Sequence, residues 1–243
     1  MKRLLLLFAT FSLFAAEPNF GKFDGTGVIL DLNYSQRTIF GKRADERLSP
    51  CSTFKILNSM IALDSNAVTD ENETISWDGV VRDYPFWNHD HSMRSAISVS
   101  TVWFYQEMAR RIGSVQMQKM VTEVGYGNTD TSRSLTDFWL GNGSLKISPN
   151  EQVDFLAKLL HEQLPFTHRA MKITRDIMTL EQKEAYSLAG KTGSCDGTGW
   201  FVGFVEEGDR IKVFAFNIRG EGASGVEAKR IAIDYLKTSA GAQ

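Results

Sequence analysis

The chain has 243 residues, of which 42% are hydrophobic and 23% are charged, and its formal net charge is −2 at pH 7. These values are those of a globular protein long enough to bury a real core, and the chain contains no internal repeat and no low-complexity tract. Because Lys and Arg never cluster beyond pairs, we expect no nucleic-acid partner.

The N-terminal end has the pattern of a secretory signal. A short basic segment, residues 1–3, precedes an apolar run over residues 4–14, and Ala15-Ala16 follow. An apolar run of about 11 residues is too short to span a bilayer as a helix. We therefore expect residues 1–16 to be removed on export, leaving residues 17–243 without stable membrane insertion. That protein would be secreted, in the periplasm if the cell has an outer membrane, and an uncleaved anchor is the alternative.

The first part of the mature chain predicts a hairpin followed by a helix. Residues 26–33 and 37–42 are typical of two strands joined by a turn. Apolar side chains then recur at helical spacing from Ser52 to Leu63, so a buried helix is expected with Ser52 in its first turn. Residues 66–93 are rich in loop-forming residues.

The middle of the chain is predicted to be helical. Residues 95–112 have the composition of a second buried helix region, and residues 114–124 that of another, with Ser114 as its N-cap. Ser148 opens a further helix, because Pro149 follows it and Glu151 completes a capping box.

The spacing at which apolar residues recur changes near residue 187, from that of helices to that of strands. Residues 188–194, 199–205 and 210–218 are typical of strands, and residues 226–237 form a closing helix. Strands at both ends with helices between them predict an α+β fold. In this fold residues of about 20–50 and 187–243 build one antiparallel sheet flanked by helices, and residues of about 64–186 form an inserted helical region.

Ser52 and Lys55 are the first candidates for chemistry. Residues three apart share one face of a helix, with Cβ atoms about 5–6 Å apart. A serine hydroxyl is a weak nucleophile without an adjacent base, and a lysine can act as that base when burial lowers its pKa. Phe54 and the apolar run around it supply such surroundings. By itself the pair is also consistent with a helix cap followed by a solvated lysine.

Three further short motifs follow the Ser52-x-x-Lys55 pair in order: Ser100-x-Val102, Tyr126-Gly127-Asn128 and Lys191-Thr192-Gly193. Together the four motifs resemble those of the serine penicillin-recognising enzymes, and the second and third resemble the forms found in class D (oxacillinase-type) β-lactamases. Trp139, in Phe-Trp-Leu, and the run ending at Ser148 are also similar to that class. The resemblance covers essentially the whole mature chain and implies a β-lactamase/transpeptidase-like fold.

The resemblance implies acyl transfer from a β-lactam, a small-molecule substrate, to Ser52. Two backbone N–H groups, those of Ser52 and Ser194, would hold the oxyanion. Ser100 would pass a proton to the leaving nitrogen, while Lys191 and Thr192 would bind the substrate carboxylate. Each of these residues is otherwise an ordinary surface or cap residue.

The resemblance also implies how the acyl group is removed. In class D enzymes the base is a carbamate that the motif lysine, here Lys55, forms with carbon dioxide, so no catalytic glutamate and no other cofactor is required. Phe54, Val102 and Trp139 would form the apolar pocket around it, with the Trp139 indole N–H as a donor to the carbamate. Trp139 as simple core filling is the alternative.

Many members of the class use a basic residue on the last helix to bind the substrate carboxylate. Lys229 and Arg230 on that helix, and Arg219 on the strand before it, are the candidates in this chain. The sequence does not choose among them, and exposed charges on an amphipathic helix are the alternative.

Cys51 and Cys195 are the two cysteines of the chain. In the related class A fold, a disulfide between the corresponding positions occurs in a carbapenem-hydrolysing subgroup, and we predict a Cys51–Cys195 disulfide. It would close a loop of about 144 residues, for which the entropy model gives roughly 4–5 kcal/mol at most. Two buried free thiols are the alternative.

His89 and His91 form an His-x-His in a polar segment. Because no further Cys or His is near in sequence, a surface loop is expected there rather than a metal site.

Two other functions share the motifs. A β-lactam sensor domain would stay acylated instead of turning over, and a small D,D-peptidase would act on peptidoglycan. A non-enzymatic binding module would leave the Ser52 and Lys55 pair without a purpose.

Overall fold

The computed structural model describes residues 17–240, with side chains through residue 237. The predicted signal, residues 1–16, and the last residues, 241–243, lie outside the described part. From residue 17 to residue 240, no helix has the length and apolar character that crossing a membrane demands.

The framework is one antiparallel sheet of six strands in the order β2-β1-β6-β5-β4-β3. The strands are β1 (Asp24–Asp31), β2 (Gln36–Phe40), β3 (Thr179–Lys183), β4 (Tyr186–Cys195), β5 (Thr198–Glu207) and β6 (Arg210–Arg219). The two ends of the chain meet inside the sheet, where Val28 of β1 pairs with Ala215 of β6. The predicted α+β fold with a single antiparallel sheet is confirmed.

Helices cover both faces of the sheet. They are α1 (Lys55–Asp64), α2 (Met93–Ser98), α3 (Val102–Ile112), α4 (Ser114–Val124), α5 (Pro149–Leu160), α6 (His168–Ile177) and α7 (Gly225–Ala240). α7 packs against β4, β5 and β6, whereas α5 packs against β1, β5 and β6.

The pattern of β5 shows how the two faces differ. Trp200, Val202 and Phe204 belong to the large core that contains the helices α1 to α6, while Phe201 and Val205 belong to the core beneath α7. Successive side chains of a strand point to opposite faces, so both faces of β5 are buried. The sheet is therefore a middle layer between α7 and the other helices.

The start of α5 follows the predicted capping box. Ser148 Oγ accepts the Glu151 N–H at 3.2 Å, and the Glu151 carboxylate accepts the Ser148 N–H at 2.9 Å.

The prediction for α4 is correct in position but wrong in its cap. Gly113, with φ of 79°, occupies the N-cap position and Ser114 is the first helical residue.

The predicted helix region over residues 95–112 is two helices. α2 ends at Ser98 and α3 begins at Val102, and Ser100 between them has φ of 61°. A left-handed residue cannot continue a right-handed helix. The break therefore places Ser100 in a tight turn just before α3.

Neither α6 nor β3 is among the elements predicted from the sequence. α6 carried usable signals, because Met171 and Ile177 are buried on one face and the Thr167 side chain caps the helix at Ala170 N. β3 is an edge strand with mostly exposed side chains, so it shows no alternating pattern. With β3, the sheet includes part of the range 64–186 that the sequence analysis assigned to helices.

Candidate active site

Ser52 and Lys55 meet where a 3-10 turn, Cys51–Phe54, runs into α1. Lys55 begins α1, and its Nζ lies 2.7 Å from Ser52 Oγ. This is a distance at which a proton can pass between the two groups. The sequence placed both residues on one helical face, and the structure brings them together, although the first turn is 3-10 rather than α.

The surroundings of Lys55 favour a neutral amine. The side chain is fully buried, and its Nζ lies 5.3 Å from the centre of the Tyr105 ring. Loss of hydration holds the pKa of Lys55 well below its usual range, and the neighbouring positive charge of Lys191 lowers that pKa further. Lys55 is therefore far more often the neutral amine, the form that can accept a proton, than an exposed lysine is.

An aromatic cluster lies behind Ser52. Phe54 stacks on Trp139 with ring centres 5.4 Å apart, and it meets Phe138 and Tyr126 edge to face. All four rings are buried. Trp139 Nε1 has no hydrogen-bond acceptor among the residues that the structure describes. A buried donor without an acceptor costs about 1–3 kcal/mol, so this N–H is suited to a group that arrives later.

Val102 opens α3 and is half-buried. Tyr105 follows it by three residues and therefore shares its face of the helix. The Tyr105 hydroxyl lies 3.0 Å from Ser59 Oγ, which connects α3 to α1 beside Lys55. Tyr105 is not among the site residues predicted from the sequence, although its spacing from Val102 is a signal for it.

Lys191 and Ser100 are also brought together. Lys191 Nζ donates to Ser100 Oγ at 3.0 Å and to the Thr192 carbonyl at 2.9 Å. Burial lowers the pKa of Lys191 to about 7, and the nearby charge of Lys229 contributes to that shift. Lys191 is thus an ammonium group that can lose its proton close to neutral pH.

The backbone of β4 packs closely against the 3-10 turn. A Cβ added at Gly193 would lie 3.0 Å from the Pro50 carbonyl oxygen and 3.3 Å from Ser52 N. A side chain at this position would require the strand and the turn to shift apart by a few tenths of an ångström. The glycine therefore sets the approach between Ser52 and the strand that carries Lys191.

The residues after Gly193 border the loop before α7. Ser194 Oγ accepts the Gly225 N–H at 2.7 Å. A Cβ added at Gly225 would lie 2.8 Å from Thr192 Cβ, so the loop runs against the strand. Thr192 is half-buried and Ser194 is exposed.

Cys51 and Cys195 form a disulfide, with Cα atoms 5.9 Å apart. The predicted pairing is confirmed. It joins the 3-10 turn of Ser52 to the end of β4.

The structure separates the three candidate basic residues. Arg219 and Arg230 each contact two carboxylates, namely Asp24 and Glu46 for Arg219, and Glu227 and Asp234 for Arg230. Lys229 is half-buried, forms no ion pair with any described residue, and lies close enough to Lys191 to lower the pKa of that group. Of the three, Lys229 is the one whose charge acts on Lys191.

His91 is buried rather than part of a surface loop. Its ring nitrogens lie 2.9 Å from Ser95 Oγ and 2.9 Å from the Phe86 carbonyl, whereas His89 is exposed. Burial lowers the pKa of His91. Within residues 17–237, no three His, Cys, Asp or Glu side chains gather as a metal site would require.

Comparison with known proteins identifies the family. The penicillin binding protein transpeptidase domain matches residues 25–237. "Probable beta-lactamase YbxI" of Bacillus subtilis (strain 168) is 43% identical over 225 residues, which cover 91% of this chain and 83% of that protein. A crystal structure of a class D β-lactamase from Bacillus subtilis superposes with a TM-score of 0.89 at 40% identity and covers 94% of this chain and 97% of that one.

A regulatory protein is also similar. BlaR1 of Bacillus licheniformis is 36% identical over 226 residues, which are 89% of this chain but 37% of that protein. The similarity is thus to one part of a longer chain. The match over residues 25–237, together with the identity to the Bacillus subtilis sequence and to the Bacillus subtilis structure, shows the family. The chain belongs to the penicillin-binding protein transpeptidase-domain family and, within it, to the class D β-lactamases.

Proposed function

We propose that the enzyme hydrolyses β-lactam antibiotics by acylation of Ser52, followed by deacylation that depends on N-carboxylated Lys55. The observation that carries the proposal is the 2.7 Å contact between Ser52 Oγ and the nitrogen of a fully buried lysine. The class D relatives support β-lactam hydrolysis as the reaction.

Acylation begins when the Lys55 side chain takes the proton of Ser52. Ser52 Oγ then attacks the lactam carbonyl carbon, and we assign the backbone N–H groups of Ser52 and Ser194 as donors to the oxyanion. The carbon–nitrogen bond of the ring breaks as Ser100 gives its proton to the nitrogen. Lys191 supports this role because its ammonium group donates to Ser100 Oγ at 3.0 Å and can replace the proton.

The substrate carboxylate needs a positive charge close to Ser100. We assign Lys191 and the Thr192 hydroxyl as its first contacts and Lys229 as a second charge. Lys229 is supported over Arg230 and Arg219 because those two guanidinium groups already contact carboxylates.

The pocket around Lys55 fits an N-carboxylate. A neutral amine adds to carbon dioxide with loss of one proton, and burial favours the neutral amine. The buried Trp139 N–H, which has no acceptor among the described residues, matches the new oxygen atoms. When bound, the carboxylate group supplies a general base for the water that cleaves the Ser52 ester. Phe54, Val102 and Trp139 shelter the lysine from bulk water.

We further propose that the protein works after export, where an oxidising environment maintains disulfides. The Cys51–Cys195 bond supports this location. The signal predicted over residues 1–16 would direct that export.

A β-lactam sensor is the second candidate, because the matched part of BlaR1 is 36% identical to this chain. A sensor shares acylation of the serine but does not release the product. The two functions therefore differ in the fate of the acyl group on Ser52.

The test is turnover of benzylpenicillin and of a chromogenic cephalosporin, with intact-protein mass measured during the reaction. Repeated turnover that Ser52→Ala abolishes is expected, while Ser132→Ala, a change at an exposed serine, leaves it unaltered. One equivalent of product with a lasting adduct on the protein would favour the sensor. Absence of any adduct or turnover would overturn the proposal.

A further inference from the structure

The disulfide flanks both of the residues assigned to the oxyanion. Cys51 directly precedes Ser52, and Cys195 directly follows Ser194. The half-cystine Cα atoms are 5.9 Å apart although 144 positions separate them in sequence. The bond therefore links the two oxyanion donors through one residue on each side.

The turn and the strand also meet directly at Gly193. Gly193 contributes only backbone, and a Cβ there would lie 3.0 Å from the Pro50 carbonyl oxygen. The distance between the two N–H donors is thus set by backbone packing and by the disulfide. Donors must sit within about 2.7–3.1 Å of the oxyanion, so small changes in this distance affect the reaction.

The backbone of Cys51 also needs support. Its φ is 50°, in the left-handed region that side chains with a Cβ disfavour. This conformation orients the following residue, Ser52. The disulfide holds Cys51 from one side of the turn. On the other side, Gln152 donates to Thr53 Oγ1 at 2.8 Å and Thr53 Oγ1 donates to the Pro50 carbonyl at 2.7 Å.

We propose that the Cys51–Cys195 disulfide is a positioning element of the oxyanion hole, and not only a stabilising cross-link. The inference rests on the proposed function, in which Ser52 and Ser194 supply the two donors. Without the bond, Cys51 is free to relax and the two donors separate, while the residues that bind the substrate carboxylate keep their places. Because the Gln152 and Thr53 contacts remain, the turn keeps part of its support, and the protein that still folds without the bond acylates more slowly.

The test compares the parent protein with the double variants C51A/C195A and C51S/C195S. Stopped-flow acylation by a chromogenic cephalosporin is measured well below the Tm of each protein, together with the affinity for a boronic acid whose tetrahedral adduct on Ser52 fills the oxyanion hole. Misplacement of the donors predicts that both the acylation rate and the boronic acid affinity fall about 10- to 100-fold, with little change in the substrate Kd. A control, Leu236→Ala, lowers the Tm through the core beneath α7 and is expected to leave both values unaltered.

Reduction provides the same comparison without mutation. Cys195 is half-buried, and a water-soluble phosphine, with water, converts a disulfide to two thiols as the phosphine becomes its oxide; the number of free thiols is counted to show that the bond has been cleaved. The acylation rate per folded molecule should fall and should recover on reoxidation. This measurement replaces the variants if these do not fold.

Acylation and boronic acid affinity that stay within about twofold of the parent, whatever the change in Tm, would overturn the inference. Failure of the oxidised parent protein to form any Ser52 adduct would instead contradict the proposed function, and the inference with it.

Discussion

Trp139 stacks on Phe54 with ring centres 5.4 Å apart, and yet its buried indole N–H has no acceptor among the residues that the structure describes. In contrast, Trp200, equally buried, donates its N–H to the Ser49 carbonyl at 2.9 Å. Two fully buried tryptophans near one turn thus differ in a single hydrogen bond. The difference is explained if the Trp139 N–H donates a hydrogen bond to a group attached to Lys55.

Trp139→Phe therefore tests the donor while keeping an aromatic ring for Phe54. A hydrogen bond to a charged group contributes about 1.5–3 kcal/mol, so the bicarbonate concentration for half-maximal turnover should rise about 10- to 100-fold. The acylation rate should change little. An unaltered bicarbonate dependence would mean that Trp139 only fills the core.

The matched variant is Trp200→Phe. It leaves the Ser49 carbonyl without its donor and should lower the free energy of unfolding by about 1–3 kcal/mol more than the loss of ring volume alone. In protein depleted of carbon dioxide, the Trp139 N–H has no acceptor among the described residues, so Trp139→Phe removes no hydrogen bond and should lower the free energy of unfolding less than Trp200→Phe does. Urea unfolding measures both values. Equal decreases in the two variants would contradict the difference between the two tryptophans.

Ser100, to which we assign the role of proton donor, has a left-handed backbone with φ of 61°. Ser100→Ala and Ser100→Gly both remove the proton donor, and each should slow acylation about 10²- to 10⁴-fold. Only glycine adopts this backbone without strain. The free energy of unfolding, measured with urea, should therefore be about 1–2 kcal/mol higher for Ser100→Gly than for Ser100→Ala. If the more stable variant, Ser100→Gly, were also clearly the more active one, the role of Ser100 would be structural and not that of a proton donor.

Lys229 and Arg230 are adjacent on α7 but differ in their partners. Lys229→Ala should raise KM for penicillins about tenfold, since it removes a charge beside Lys191, whereas Arg230→Ala should leave KM within about twofold because an exposed ion pair contributes little. Steady-state kinetics of both variants decide the assignment. A larger effect from Arg230→Ala would reverse it.

The pKa of Lys191, about 7, predicts a pH-dependent affinity. The ammonium form predominates below this pKa and is lost as the pH rises through it, so binding of a carboxylate should weaken between pH 7 and pH 9. Calorimetric titration of penicillin into the Ser52→Ala protein separates binding from chemistry. In a Ser52→Ala/Lys191→Arg protein the charge persists and Kd should stay flat. A flat Kd in the lysine protein itself would argue against Lys191 as the anchor.

Much of the candidate site could be predicted because its residues lie in short sequence motifs. Ser52 and Lys55 are three residues apart, so one turn of helix brings them together whatever the rest of the fold does. The sheet could be predicted from the segments typical of strands at both ends of the chain. Lys191 and Ser100 came from resemblance, since their contact spans 91 positions and has no local signal.

Other features depend on tertiary packing that a local pattern does not contain. The break at Ser100 lacks the glycine that usually marks a left-handed residue. Tyr105 becomes relevant only when α3 packs against α1 and its ring lies beside Lys55. The edge strand β3 has exposed side chains, and its pairing with β4 alone makes it a strand.

The most direct test of the central claim follows Lys55 itself. The protein is depleted of carbon dioxide and titrated with ¹³C-bicarbonate while the ¹³C carbamate resonance and cephalosporin turnover are recorded on the same sample. The account predicts that signal and turnover rise together with one half-saturation point, that Ser52→Ala retains the signal without turnover, and that Lys55→Arg loses both. Full turnover in the depleted protein, with no carbamate resonance, would contradict it.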